Sequence, residues 1–113
     1  MREIKFRAAY QGKVYSVTEI LWSDRTVYIW DGAAENGEVV TLDHVTLLQF
    51  SALHDKNGKE IYEGDIIWIR GGTRHEVKFR RGRFEVSLND LGGYKAADIK
   101  VIGNIYEKAE LLQ

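Results

Sequence analysis

The chain contains no cysteine and no proline. Without cysteine there is no disulfide, no thiolate metal site and no thiol nucleophile. That suits a reducing cytosol. Long apolar runs are also missing: none approaches the ~20 residues of a membrane-spanning helix. The opening "MREIKFRAAY" is charged and has no apolar signal core, so the reading is a non-secreted, cytoplasmic protein with no membrane partner. A surplus of one charge is absent too. A net charge of −1 argues against coating nucleic acid by bulk charge alone. Catalytic signatures are absent as well: there is no phosphate loop, G-x-S-x-G, dinucleotide fingerprint or H-E-x-x-H. The expectation is a non-enzyme without a cofactor.

What is present is a globular composition. Of 113 residues, 44% are apolar and 29% charged, enough for one domain that buries about two thirds of its unfolded surface. Residues 1–113 read as a single domain, with sub-lobes 1–52 and 53–113. Eleven glycines and thirteen aromatics favour tight turns and pleated surfaces.

The patterning supports this. In residues 2–8 Ile4, Phe6 and Ala8 share one face and Glu3, Lys5 and Arg7 the other, as in a half-buried strand. "VYSVTEILW" and "RTVYIW" flank "SDR" as a hairpin. Val27 and Ile29 share one face and Tyr28 and Trp30 the other, so this strand is expected between two layers or at an interface. Asp31-Gly32 and Asn36-Gly37 are turn signals. The stretch from Val39 to Leu53 reads as mostly strand or irregular. In "DKNGKEIYEGDIIWIRGG", Asn57-Gly58 and Gly64-Asp65 are turns, with positive φ expected at the former. They frame a covered strand at Ile66–Ile69. "GGTRH" is expected to turn the chain. "EVKFRRGRFEV" is the clearest hairpin: with its tip at Arg81-Gly82, or at the four residues 80–83, Phe79 faces Phe84, Val77 faces Val86, Lys78 faces Glu85, and Arg80 lies close to Arg83. "LNDLGGY" reads as loop, then a strand bends at Gly103 and one helical turn ends the chain. Seven to nine short strands are expected. The fold class is all-β, mainly antiparallel. It is either a small barrel or a two-lobed β structure with an SH3-like C-terminal half.

Three segments, "IKFRA", "LLQFSALHDKNGKEIYEGDIIWI" and "VIGNIYEKAELL", resemble the YopX family of phage and prophage proteins. The match runs residue by residue through Gln49, Asp55, Asn57, Gly58 and Ile61 to Asp65, and again from Gly103 to Glu107. Ala9-Tyr10 stands where an aromatic followed by an acid is common, Ser51-Ala52 where Thr-Gly is common, and Lys108-Ala109 where Asn-Pro is common. The resemblance implies a mostly-β protein from a phage setting and carries no chemistry with it.

Candidate sites are few. Asp55, Asn57, Glu60, Glu63 and Asp65 offer oxygen ligands, but the spacing of an EF-hand is wrong: counted from Asp55, glycine is fourth and Ile66 twelfth. Turn formation, with Asp65 capping through its side chain, explains them better. Glu60, Glu63 and Asp65 as an acid–base pair would need a cleft. His44, His54 and His75 are scattered. Structural turns are assigned to Asn57, Gly58, Gly64, Asp65 and Gly103. Trp22, Tyr28, Trp30 and Trp68 are the candidate protein-interaction surface, for a host or phage protein; homo-oligomerisation stays open. Arg70, Arg74, Lys78, Arg80, Arg81 and Arg83 stand against one acid, Glu76. They are the candidate anion or nucleic-acid contacts, the alternative function. A solvated, charged hairpin tip is the preferred account of that run, with Phe79 and Phe84 assigned to the core.

Overall fold

The computed structural model describes residues 5–32, 37–87 and 89–112. Asn36, one of the expected turn residues, lies outside them. The first half of the chain builds one antiparallel sheet. Its strands are β1 (Phe6–Tyr10), β2 (Lys13–Leu21), β3 (Thr26–Trp30), β4 (Gly37–Thr41), β5 (Thr46–His54) and β6 (Glu60–Tyr62). They lie in the order β4-β3-β2-β1-β5-β6. The second half builds two smaller sheets. One is β12-β7-β8, from β7 (Asp65–Ile69), β8 (Thr73–Glu76) and β12 (Ile99–Asn104). The other is β11-β10-β9, from β9 (Lys78–Arg80), β10 (Arg83–Val86) and β11 (Asn89–Asp90).

The all-β, antiparallel expectation therefore holds, and the helical content of the described residues is four short 3-10 turns, the last at Ala109–Leu112. The barrel does not: the three sheets stay separate. The described residues hold twelve strands, because the chain changes sheet within stretches that read as continuous. "EVKFRRGRFEV" is the clearest case. Glu76 belongs to β8, and Val77 breaks the strand. Its N–H donates to the Asp65 carbonyl and its own carbonyl accepts the Gly64 N–H, both at 2.8 Å. The hairpin ladder keeps the expected pairs Arg80–Arg83, Phe79–Phe84 and Lys78–Glu85 but ends there. Val77 and Val86 still meet, inside one apolar cluster. "TRH" is strand rather than turn, since Gly71 and Gly72 suffice to reverse the chain before it. "LNDLGGY" likewise contains β11 and a 3-10 turn, Leu91–Gly93.

Two cores follow from this arrangement. Ala8, Val27, Ile29 and Val40 form one on a face of the large sheet, beside Tyr15, Val17 and Leu47. Ile61, Ile67, Val77, Val86 and Leu91 anchor the other, between the smaller sheets. Val27 and Ile29 are buried as expected, but Tyr28 remains 39% exposed, so β3 is not enclosed between two layers. Its neighbours explain this: Tyr28 pairs with exposed Val39 on β4, the end strand of the sheet.

Candidate functional site

The strand Ile66–Ile69 and its framing turns sit where all three sheets meet. Gly64 is held at φ +87°, a conformation that favours glycine. A Cβ there would also approach the Tyr106 ring to 3.0 Å. Its carbonyl accepts the Ile105 N–H, 3.0 Å away, and so joins the start of β7 to the turn beyond β12. Asp65 is 1% exposed. One carboxylate oxygen accepts the Tyr62 N–H at 2.8 Å, and the other pairs with the Arg7 guanidinium from β1. Burial pushes the Asp65 carboxyl up from the usual range, against the pull of Arg7 and the Tyr62 amide. Arg7 stacks 4.2 Å from the Tyr62 ring centroid. Alternation alone places Arg7 on a solvent face. That reading fails because Tyr62 at the end of β6 and Asp65 at the start of β7 cover that side of β1, and nothing local in sequence marks such a cover.

Other motif residues also hold backbone. The Asp55 carboxylate accepts three N–H groups, from Asn57, Lys59 and Val101, at 2.8–2.9 Å. Burial would raise its pKa, but these bonds together outweigh it and hold the carboxyl below the usual range. Asn104 caps the turn after β12, accepting from Tyr106 and Glu107 and donating to Glu107. Glu107 in turn accepts the Val14 N–H of β2 at 2.8 Å. Gly58 has φ +80° as expected, whereas Asn57 does not share a positive φ: the Asp55 side chain closes this turn instead. Gly103 lies at a register shift in β12. It needs to be small because Leu111 of the last turn packs against it.

The remaining acids of this segment are engaged too. Glu60 pairs with Lys5 and accepts the Tyr62 hydroxyl at 3.1 Å. Burial and this neighbouring carboxylate push the Tyr62 phenol up to about 12. Glu63 accepts the Gln49 N–H. Among the described residues no group of three or more His, Asp or Glu could hold a metal. His44 bonds the Thr41 hydroxyl and His54 packs edge-on against Phe50.

Arg7, Asp65, Asn104 and Glu107 line a polar cavity of about 290 Å³ with Trp30 and Lys59. Residues far apart in sequence thus converge: Arg7 pairs with Asp65 and Asn104 with Glu107, while the buried Arg7 Nε has no hydrogen-bond partner among the described residues.

The basic run does not form one hairpin. Arg70 and Arg74 belong to the β7–β8 connection and β8, whereas Lys78 and Arg80 belong to β9, Arg81 to the turn after it and Arg83 to β10. Arg70 approaches Asp98 at 3.4 Å and Arg83 pairs with Glu85 at 2.8 Å. The fold nevertheless brings Arg74, Lys78 and Arg80 to one groove of about 330 Å³, with His75, Glu76 and Glu85. Phe79 departs from its core assignment: it is 37% exposed, its ring resting on buried Phe84 with centroids 4.8 Å apart.

Of the candidate interaction surface, Trp22 is 64% exposed at the β2–β3 turn. Trp30 is half-buried beside the polar cavity. Trp68 is half-buried on β7, with the Lys56 ammonium 5.8 Å from its ring centroid. Leu21 and Val39, which no sequence pattern singles out, are exposed.

The sequence profile of the YopX protein family matches residues 5–113. The chain belongs to the YopX family. Among solved structures it is similar to protein EF1440 from Enterococcus faecalis, with 27% identity, a TM-score of 0.72 and full coverage of both chains. It also shares its fold with protein yopX from Bacillus subtilis, at 22% identity, TM-score 0.66 and full coverage of both. Comparison with curated proteins finds no match. The YopX match embraces both ends of the cavity network, Arg7 and Glu107, and the Gly64–Asp65 junction between them.

Proposed function

We propose that this YopX-family protein is a non-enzymatic, phage-encoded interaction module that binds a host or phage protein in the bacterial cytoplasm. The observation that carries this reading is the outer edge of the large sheet. Tyr28 on β3 faces Val39 on β4, and Val39 is 63% exposed. The Tyr28 ring lies over Gly37, where any Cβ would collide with it. β4 ends the sheet. Of the devices that blunt exposed edges it has one charge, Glu38, and no bulge, lysine or proline. Such an edge accepts an added strand from a partner, with nearby aromatics supplying anchor contacts. Leu21 and Trp22 are exposed at the β2–β3 turn of the same sheet.

Val39→Asp and Trp22→Ser, made separately, test this. Both variants are expected to melt like the parent and to lose a partner captured from nuclease-treated bacterial lysate. Capture that ignores both substitutions, or that vanishes with nuclease, would remove the reading.

A second reading, nucleic-acid binding, is favoured by one specific observation. Arg74 comes from a different strand than Lys78 and Arg80, yet all three line one groove. Glu85 there is already paired with Arg83, which leaves the groove net positive. The two surfaces lie on different sheets and are not exclusive.

A further inference from the structure

We infer that the edge strand β9 takes single-stranded nucleic acid, with Phe79 as the base-stacking surface and Lys78, Arg80 and Arg81 as phosphate contacts. The inference rests on the second reading and narrows it. β9 ends its sheet, and all three of its residues are exposed. Alternation puts Phe79 on one face and Lys78 and Arg80 on the other. An extended strand laid along this edge meets both faces, its bases towards Phe79 and its phosphates towards the cations. Arg81 adds a charge at the tip, where it and Gly82 have φ +53° and +77°.

Phe79 is suited to stacking because it is half-held. Buried Phe84 supports the ring from one side, so little freedom is lost when a base covers the other. Phe79 lies between Lys78 and Arg80 in the strand, and the surrounding positive charge favours an anionic occupant. A duplex stacks its base faces internally and cannot offer one to Phe79. Single strands can, and such stacking tolerates any sequence.

The test is fluorescence anisotropy of the full chain with a labelled single-stranded oligonucleotide and its matched duplex, across a salt series. Binding at physiological salt should favour the single strand. Phe79→Leu keeps an apolar side chain against Phe84 but removes the ring, and should weaken single-strand binding roughly five- to a hundredfold. Phe79→Trp should retain or tighten it. Arg80→Ala with Arg81→Ala should weaken binding and flatten the salt dependence, by about 0.7 in log–log slope for each phosphate no longer neutralised. Circular dichroism and melting of each variant separate lost binding from lost fold. Equal binding of duplex and single strand, unchanged by Phe79→Leu, would overturn the inference while leaving a polyanion-binding groove. No binding of either probe at physiological salt would overturn both.

Discussion

Single residues in this protein act chiefly by fixing backbone, and their substitutions should differ by how they do so. Gly64 combines a positive φ with the close approach of Tyr106, whereas a Cβ at Gly58 would meet nothing within 4 Å. Gly64→Val is expected to cost about 3 kcal/mol, from left-handed strain plus overpacking, and Gly58→Ala about 1 kcal/mol from strain alone. Equal melting temperatures for the two variants would contradict the assignment of Gly64 as a junction. Asp55 gives a pH signature. Its carboxyl is held below the unfolded value by three backbone N–H groups, which prevail over burial. Its contribution is thus full above the ordinary aspartate range and is lost as pH falls through the lower folded value. Asp55→Asn should flatten the decline in stability below about pH 4, read by urea titrations at a series of pH values. Asp65 works in the opposite sense. Burial raises its carboxyl, so it weakens the fold as pH rises through the ordinary range, and the Arg7 pairing offsets that cost.

At the scale of elements, irregularities in the strands matter as much as the strands. The β5–β6 ladder shifts register between Phe50 and His54, and Ala52 sits inside that shift at φ +68°. This is the position where the family resemblance leads one to expect glycine. The sequence shows the departure without its meaning; the backbone angle supplies the physical reason. Ala52→Gly should relieve left-handed strain and stabilise by about 0.5–1 kcal/mol after glycine's larger unfolded-state entropy is counted. A differential melt checks it, and a fall in melting temperature would show that the Ala52 methyl packs usefully. In the same way, Val77 interrupts a stretch that alternates cleanly in sequence. Its two backbone hydrogen bonds go to Gly64 and Asp65, partners more than ten residues away in the chain. No local pattern announces such a break.

Over the whole molecule, the two apolar clusters are tied together through Gly64–Asp65, which reaches β1 through Arg7 and the turn beyond β12 through Ile105. The two halves should therefore unfold together. Urea transitions followed by tryptophan fluorescence and by far-ultraviolet circular dichroism are expected to coincide, and Arg7→Ala should lower the midpoint and separate them. Distinct transitions in the parent protein would show that the clusters fold independently. The sequence by itself determined the all-β class, the hairpin registers around Arg81-Gly82 and the turns at Gly58 and Gly64, because alternation and turn chemistry are local properties. It also carried the YopX resemblance. Only the tertiary structure decided which strands are inner and which are edges. The same long-range packing half-buries Arg7 against Asp65, leaves Val39 and Phe79 open, and splits the basic run between two hairpins that meet again at one groove. Strand neighbours are set by long-range pairing, which a period of two along the chain does not encode.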